Sequence, residues 1–286
     1  MIPRRSYTVP LPSREPLHLG ARTLVMGILN VTPDSFADGG RHLEPDAAVE
    51  AGVLMVDEGA DILDVGGEST RPGAVPVGEE EELRRVLPVV ERLARRVTVP
   101  ISIDTYKARV AREAVAAGAV IINDISGLQY EPSLGGVAAD TGAALVLMHT
   151  RGRSHDMYER AVYEDAIADV RTELTAAIDR AERAGVRREA ILLDPGVGFG
   201  KRAEHSFAVI ARLDALALLG RPILSGPSRK SFFKTAIGER PPVGRDWATA
   251  AAVTASVLAG AHIVRVHNVP AMIDVVRVAD RVCAER

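Results

Sequence analysis

Eight short apolar runs recur along this chain, each separated from the next by a longer polar or amphipathic segment. The runs consist mostly of valine, isoleucine and leucine, as expected of strands that are buried on both faces of a parallel sheet. Strands that alternate with helices indicate βαβ units. The runs lie at 23–31, 61–65, 100–103, 120–123, 144–148, 190–193, 222–224 and 262–266.

The segments between the runs have the apolar spacing of amphipathic helices. Asp46 and Ser133 stand where helix N-caps are expected, and Gly118 and Gly185 stand where helices end. The clearest helical segments are 46–58, 79–96, 107–117, 163–185 and 203–218.

The number and length of these units predict the fold. Eight βα units over about 260 residues match the usual length of a (β/α)8 barrel. We therefore predict an α/β fold, a (β/α)8 TIM barrel, with one catalytic domain over residues 23–286 of the 286. Residues 1–22 lie outside the repeat and are expected to form a short N-terminal cap, as a hairpin over the bottom of the barrel. A doubly wound open sheet remains the alternative.

Composition excludes several classes of protein. A formal net charge of −3 argues against a nucleic-acid surface, which needs a basic excess. The single cysteine, Cys283, allows no internal disulfide and fits a reducing compartment. No run approaches the roughly 20 apolar residues of a membrane span, and none resembles a signal peptide. We expect a cytoplasmic protein that binds neither nucleic acid nor membrane.

Nearly every apolar run ends in a polar side chain. In parallel barrels the carboxyl ends of the strands, and the loops after them, build the active site. A polar residue at one strand end is ordinary, because polar residues favour turns, but eight such ends together indicate a site. They are Asn30, Asp64 with Glu68, Asp104, Asn123 with Asp124, His149, Asp194, Ser225 and His267.

Three loops after these strands have unusual composition. Loops 30–40 and 66–73 are rich in glycine and charge, as lids and binding loops are. Segment 194–201 superficially resembles a nucleotide loop, but Lys201 replaces the final glycine of the dinucleotide motif. Arg202 likewise replaces the Ser or Thr of the P-loop. Its glycines are instead expected to let the backbone pass close to a planar ligand.

The last two strands are followed by cationic groups. Segment 225–231 is expected to open a helix with Ser228 as N-cap, whose N-terminus, with Arg229 and Lys230, attracts anions. Arg265 and His267 lie two residues apart and project to one face. Taken alone, the presence of Lys230 or of Arg265 is explained by a surface salt bridge. Together they favour an anionic substrate group, because barrel enzymes often bind phosphate here.

The sequence indicates neither a metal site built from protein side chains alone nor a nucleophile for acyl transfer. The seven histidines show no metal-ligand spacing, and one cysteine cannot build a thiolate site. His262, at a strand start, is expected to be structural. Any metal is expected to be Mg2+ that bridges protein oxygen to a substrate phosphate. No GxSxG nucleophile motif is present.

The order of these motifs resembles the dihydropteroate synthase family from about residue 22 to residue 283. Residues 26–40 (MGILNVTPDSFADGG) and 61–74 (DILDVGGESTRPGA) are similar to its two specific signatures. Segments 101–104, 122–127, 147–149, 192–201, 228–230 and 265–267 continue the similarity in family order.

The resemblance implies a transferase of folate biosynthesis. It would join 6-hydroxymethyl-7,8-dihydropterin pyrophosphate to p-aminobenzoate by an SN1-like course and release pyrophosphate, with Mg2+ as cofactor, as a homodimer and a sulfonamide target. It implies pterin binding by Asp104, Asn123, Met148, Asp194 and Lys230. It implies pyrophosphate binding by Asn30, Arg71, Arg265 and His267, with Asn30 also contacting Mg2+. It implies an aminobenzoate pocket of Phe36, Thr70, Pro72, Phe199 and Ser231, and catalytic roles for Asp38, Arg71 and Lys230.

Two alternatives remain at this stage. A pterin-binding methyltransferase barrel shares the fold but should lack the segments at 228–230 and 265–267. A non-catalytic pterin-binding paralogue should have lost Asp38 or Arg71, and both are present. Pro227 departs from the family pattern and removes an N–H before the anion-facing turn, with little expected consequence.

Overall fold

The computed structural model describes residues 4–32, 45–70 and 73–285. The predicted site residues Phe36, Asp38, Arg71 and Pro72 therefore lie outside the described residues.

Eight parallel strands form the barrel. They are β3 (Leu24–Asn30), β4 (Ile62–Gly66), β5 (Ile101–Asp104), β6 (Ile121–Asp124), β7 (Ala144–Met148), β8 (Ile191–Asp194), β9 (Leu224–Ser225) and β10 (Ile263–Val266). From β3 to β8 each strand pairs with the next along the chain, and β10 pairs with both β9 and β3. An isolated bridge between Leu193 and Ile223 spans the remaining seam between β8 and β9. The sheet therefore curves into a ring, and the open-sheet alternative is wrong.

The predicted N-terminal cap is an antiparallel hairpin of β1 (Tyr7–Val9) and β2 (Leu17–Leu19). Val9 and Leu19 are buried in one apolar cluster with residues from the amino-terminal ends of the barrel strands, such as Ile62. The hairpin therefore covers the bottom of the barrel. His262 has the expected structural role, because its Nδ1 accepts from the Ile223 N–H (3.1 Å) and its Nε2 contacts the Arg5 carbonyl (3.0 Å).

The helices surround the strands, and the largest apolar core lies between the two layers. No helix in the described part of the chain is long and apolar enough to cross a bilayer. The helices are α1 (Pro45–Asp57), α2 (Glu79–Arg96), α3 (Ala108–Ala116), α4 (Leu134–Thr141), α5 (Ala166–Arg183), α6 (Ala203–Ala211), α7 (Lys234–Ile237), α8 (Asp246–Leu258) and α9 (Val269–Ala284).

The ends of the helices can be compared with the cap residues predicted from the sequence. Gly118 (φ +119°) and Gly185 (φ +92°) follow α3 and α5 in left-handed conformations, as expected. Ser133 occupies the N-cap of α4, although its side chain makes no capping bond. Asp46 is not a cap: α1 begins one residue earlier, at Pro45, a residue favoured in the first turn.

The predicted helix over 203–218 is wrong in its second half. Helix α6 ends at Ala211, and residues Leu213–Leu219 form a 3-10 helix. Leu213 and Leu216 are both fully buried, and residues three apart lie on one face of a 3-10 helix as they do on an α-helix. The same apolar spacing therefore fits both kinds of helix.

Candidate active site

A pocket lies at the carboxyl ends of the barrel strands, where the polar strand ends predicted it. Residues from β5, β6, β7, β8 and β10 line it together with the loops after β4, β6, β8 and β9. The predicted site residues on its wall are Thr70, Asp104, Asn123, Met148, Asp194, Phe199, Lys230 and Arg265. The structure thus brings together eight positions that are far apart in the sequence.

A buried charge network lies at the base of this pocket. Arg265 Nε donates to Asp64 Oδ2 at 2.5 Å, and Arg265 Nη2 donates to Asp104 Oδ2 at 2.6 Å. Asn123 Nδ2 donates to Asp64 Oδ2 at 3.0 Å. Burial raises the pKa of Asp104, and the neighbouring Arg265 opposes that rise. Burial acts to lower the pKa of Arg265, but the two carboxylates outweigh it and raise this pKa, so the guanidinium stays charged.

Asp64 is a further residue of the site. It is one of the polar strand ends, but the sequence predicts no role for it. The structure places it on β4 between Asn123 and Arg265, fully buried. Arg265 itself was expected to bind pyrophosphate. Its contacts in this structure are with carboxylates, and the pyrophosphate contact stays a prediction.

Asp194 ends β8 and is 4% exposed. Its Oδ1 accepts the Gly196 N–H at 2.7 Å. Burial raises the pKa of this carboxyl, while the Gly196 N–H, Lys230 and Arg265 act in the opposite direction. The second oxygen, Oδ2, lies on the side of the pocket where Gly226 stands, 3.7 Å from where a Cβ on that glycine would be.

The glycines of segment 194–201 were expected to approach a ligand, but two of them approach the chain itself. A Cβ on Gly196 would lie 1.9 Å from the His149 carbonyl oxygen, and one on Gly200 would lie 2.6 Å from the Arg151 nitrogen. Both have positive φ, +65° and +55°. Close packing against the backbone after β7 therefore explains these two glycines.

Lys230 and Phe199 form one side of the pocket. The Lys230 ammonium lies 3.8 Å from the centroid of the Phe199 ring, a cation–π contact. A Cβ on Gly198 would come within 3.2 Å of the Lys230 side chain. The lysine is therefore confined between the loop after β8 and the pocket.

Three predicted residues do not line this pocket. Asn30 ends β3 and is partly exposed. His267 Nδ1 lies 2.9 Å from Ser228 Oγ, and the exposed Ser231 has its Oγ 3.4 Å from Tyr158 Oη. Their predicted roles concern bound substrates and stay predictions.

The expectations for Ser228 and Arg229 are wrong. Ser228 is not an N-cap, because its hydroxyl bonds His267 and the 3-10 turn begins only at Ser231. Arg229 does not face an anion site, because its Nε and Nη2 donate to the two oxygens of Asp246 at 2.7 and 2.9 Å.

Comparisons with known proteins find relatives over almost the whole chain. Residues 26–267 match the family model described as pterin binding enzyme. The dihydropteroate synthase of Synechocystis sp. is 46% identical over 275 residues, 96% of this chain and 95% of that protein. A structure of Xanthomonas albilineans dihydropteroate synthase with 4-aminobenzoic acid is similar at a TM-score of 0.89, with 44% identity over 97% of this chain and 99% of that chain. Yersinia pestis dihydropteroate synthase, in a sulfonamide drug complex, has a TM-score of 0.88 and 42% identity over 94% and 97%.

Proposed function

The chain belongs to the dihydropteroate synthase family of pterin-binding enzymes, and we propose that its pocket carries out that family's reaction. The substrates are 6-hydroxymethyl-7,8-dihydropterin pyrophosphate and 4-aminobenzoate, and the products are 7,8-dihydropteroate and pyrophosphate. The convergence of Asp104, Asn123, Asp194 and Lys230 on one pocket carries this proposal. The methyltransferase and non-catalytic alternatives are disfavoured by the identity to synthases and by the presence of Asp38 and Arg71.

The buried polar groups are complementary to a pterin. The edge of that ring presents several N–H donors and ring acceptors, which carboxylates, an amide and an ammonium satisfy. Buried carboxylates such as Asp194 need such partners, because an unpaired buried charge is strongly unfavourable. Met148, which is buried on the pocket wall, supplies an apolar contact for the ring face.

The donor groups present fit Mg2+ only if substrate oxygens complete its coordination. The described residues contain no cluster of three or more His, Cys, Asp or Glu side chains that would hold a metal. Mg2+ commonly binds through few protein oxygens together with substrate phosphate and water. We propose that the Asn30 amide oxygen is the protein contact. When bound, the ion would neutralise part of the pyrophosphate charge.

Charge separation in the pocket favours breaking the bond between the pterin methylene and pyrophosphate. The carboxylates of Asp104 and Asp194 stabilise positive charge that develops on the pterin, and the Lys230 ammonium stabilises negative charge on the leaving group. The amine nitrogen of 4-aminobenzoate then bonds to the methylene carbon and releases one proton. By resemblance, Asp38 and Arg71 act at this step and the two glycine-rich loops exclude water from the cation.

The direct test is pyrophosphate release by the full chain with both substrates and Mg2+. We expect release that requires all three and that a sulfonamide inhibits in competition with 4-aminobenzoate. Omission of 4-aminobenzoate serves as the control. Equal release without the amine would contradict the synthase function and indicate hydrolysis instead.

We further propose a homodimer formed through α8 and α9. These helices present an apolar groove that includes Leu258, Val275 and Val278, and Val278 is 66% exposed. An isologous contact between two copies would bury this face, in keeping with the symmetry of most soluble oligomers. The resemblance implies a homodimer.

Replacing Val278 by glutamate is expected to convert the dimer to monomer, because the contact would bury a charge. Light scattering after gel filtration measures the mass. Val243→Glu is the matched control, since Val243 is 67% exposed but does not line this groove. A monomeric wild-type protein, or a dimeric Val278 variant, would contradict the interface.

We also propose a cytoplasmic location. The single cysteine and the net charge of −3 fit a reducing compartment without nucleic-acid partners. Fractionation of cells that express the full chain tests this.

A further inference from the structure

Lys201 is a fully buried lysine, 1% exposed, at the end of the loop 195–200 that follows β8. Its ammonium lies 3.0 Å from the Gly196 carbonyl oxygen and 3.0 Å from the Phe199 carbonyl oxygen. It also lies 2.7 Å from His149 Nδ1 and 3.3 Å from the His149 carbonyl oxygen. One side chain therefore joins both ends of the loop to the segment after β7.

The hydrogen bonds of the His149 ring show which group donates in its contact with Lys201. Burial lowers the pKa of His149 to about 4, so the ring is neutral at neutral pH. Its Nε2 lies 2.9 Å from Glu173 Oε2, and a carboxylate can only accept, so Nε2 carries the proton. Nδ1 is then an acceptor, and the Lys201 N–H donates to it.

The loop that Lys201 fixes forms part of the pocket wall. Gly196, Val197 and Phe199 line the pocket, whereas Lys201 lies behind them and does not. The Phe199 carbonyl accepts from Lys201, and the Phe199 ring contacts the Lys230 ammonium at 3.8 Å. We propose that Lys201 is a positioning residue: it sets the place of Phe199 and, through that ring, of Lys230. This inference rests on the proposed synthase function.

The protonated form of Lys201 is the one that fits. An ammonium has three N–H donors for His149 Nδ1, the Gly196 carbonyl and the Phe199 carbonyl, whereas a neutral amine has two. Burial lowers the pKa of Lys201 to about 7, while Asp194 and Glu173 oppose that change. One of these three bonds is therefore lost as pH rises above about 7, which weakens the link between the loop and the segment after β7. The charged or titratable groups that face Lys201 are His149, Arg151, Glu173, Asp194 and Lys230.

The first test is Lys201→Met, which keeps an unbranched side chain one atom shorter and removes every donor. We expect kcat/KM for 4-aminobenzoate to fall about 100-fold, the scale of a small misplacement of binding groups. Most of the loss should appear as a raised KM for the amine. Calorimetric affinity for the pterin substrate should also fall, because Lys230 is among the predicted pterin-binding residues and Lys201 holds Gly196, whose N–H orients Asp194. This fall should be smaller than the rise in KM for the amine, because Asp104 and Asn123 do not contact Lys201.

The second test is Glu173→Gln, which keeps an acceptor for His149 and removes a charge that favours protonated Lys201. The wild-type kcat/KM for the amine should decline as pH rises through about 7. In Glu173→Gln this decline should shift to lower pH, since the ammonium loses electrostatic support. In Lys201→Met it should be absent.

Arg221→Met is the matched control for lost stability. Arg221 is also buried and donates to the Gly220 carbonyl and to Glu182, but it lies before β9, at the other end of the barrel. We expect it to lower the thermal midpoint without changing KM or the pH profile. A wild-type KM in Lys201→Met, or an unshifted decline in Glu173→Gln, would overturn the positioning role. Absence of pyrophosphate release by the wild-type protein would instead reject the proposed function.

Discussion

Asp194→Ala is expected to remove measurable binding of the pterin substrate. The carboxylate is buried and lines the pocket, and the Gly196 N–H already orients it. No rearrangement is therefore needed before it accepts a hydrogen bond from a ligand. Truncating one partner of a buried, charge-assisted contact costs about 2 to 5 kcal/mol of binding free energy. That corresponds to a roughly 30- to 5,000-fold increase in Kd.

Isothermal titration calorimetry with the pterin substrate measures this loss directly. Asp124→Asn is the matched control, because Asp124 is an equally buried carboxylate at the end of a barrel strand. Its oxygens accept from Ser126 and Leu128 and do not line the pocket. The control should lose stability and retain affinity. A pterin Kd in Asp194→Ala within about threefold of wild type would remove Asp194 from the site.

The barrel could be predicted because its strands are buried on both faces. Such strands are continuous apolar runs, and their ends differ from the predicted ends by no more than two residues. Helix ends were harder to predict. Whether 213–219 continues as an α-helix depends on which leucines face the core, and hydrophobic spacing alone does not decide between an α-helix and a 3-10 helix.

The position of the site could be predicted, but the pairing of its charges could not. A polar residue at the end of a parallel strand lies at the mouth of a barrel wherever it stands in the sequence. Its partner depends on side-chain direction across the barrel. Arg265 meets Asp64 and Asp104 over separations of 201 and 161 residues. The sequence places Lys201 at the end of a family segment and rules it out of a nucleotide motif, but it predicts no role for this side chain, because its burial depends on the fold of the loop before it.

Arg265→Met is expected to cause the largest loss of stability among the substitutions considered. The side chain is the common donor to Asp64 and Asp104, both buried at the base of the pocket. Its removal leaves these carboxylates without their cation, and breaking a buried ion pair in this way costs about 3 to 5 kcal/mol. The thermal midpoint should fall by roughly 10 °C, and pyrophosphate release should be lost.

The loss should depend on pH in a defined direction. Burial already raises the pKa of Asp104, and Arg265 opposes that rise, so removing the arginine raises this pKa further. The folded variant then binds more protons than the unfolded chain between the ordinary pKa of an aspartate, about 4, and the raised value. Its stability is therefore greatest at low pH and falls as pH increases, so the deficit relative to wild type should be larger at about pH 8 than at about pH 5.

Thermal unfolding of both proteins across that pH range measures this deficit. Arg22→Met is the control for an exposed pair, since the Arg22 side chain is 57% exposed where it meets Asp61. It should lose no more than about 1 kcal/mol, as exposed ion pairs do. Two results would contradict this role of Arg265. One is a loss of stability in Arg265→Met no larger than that in Arg22→Met. The other is a loss of stability, relative to wild type, that is the same at both pH values. In either case Arg265 would not be the cation that permits two carboxylates to be buried beneath the pocket.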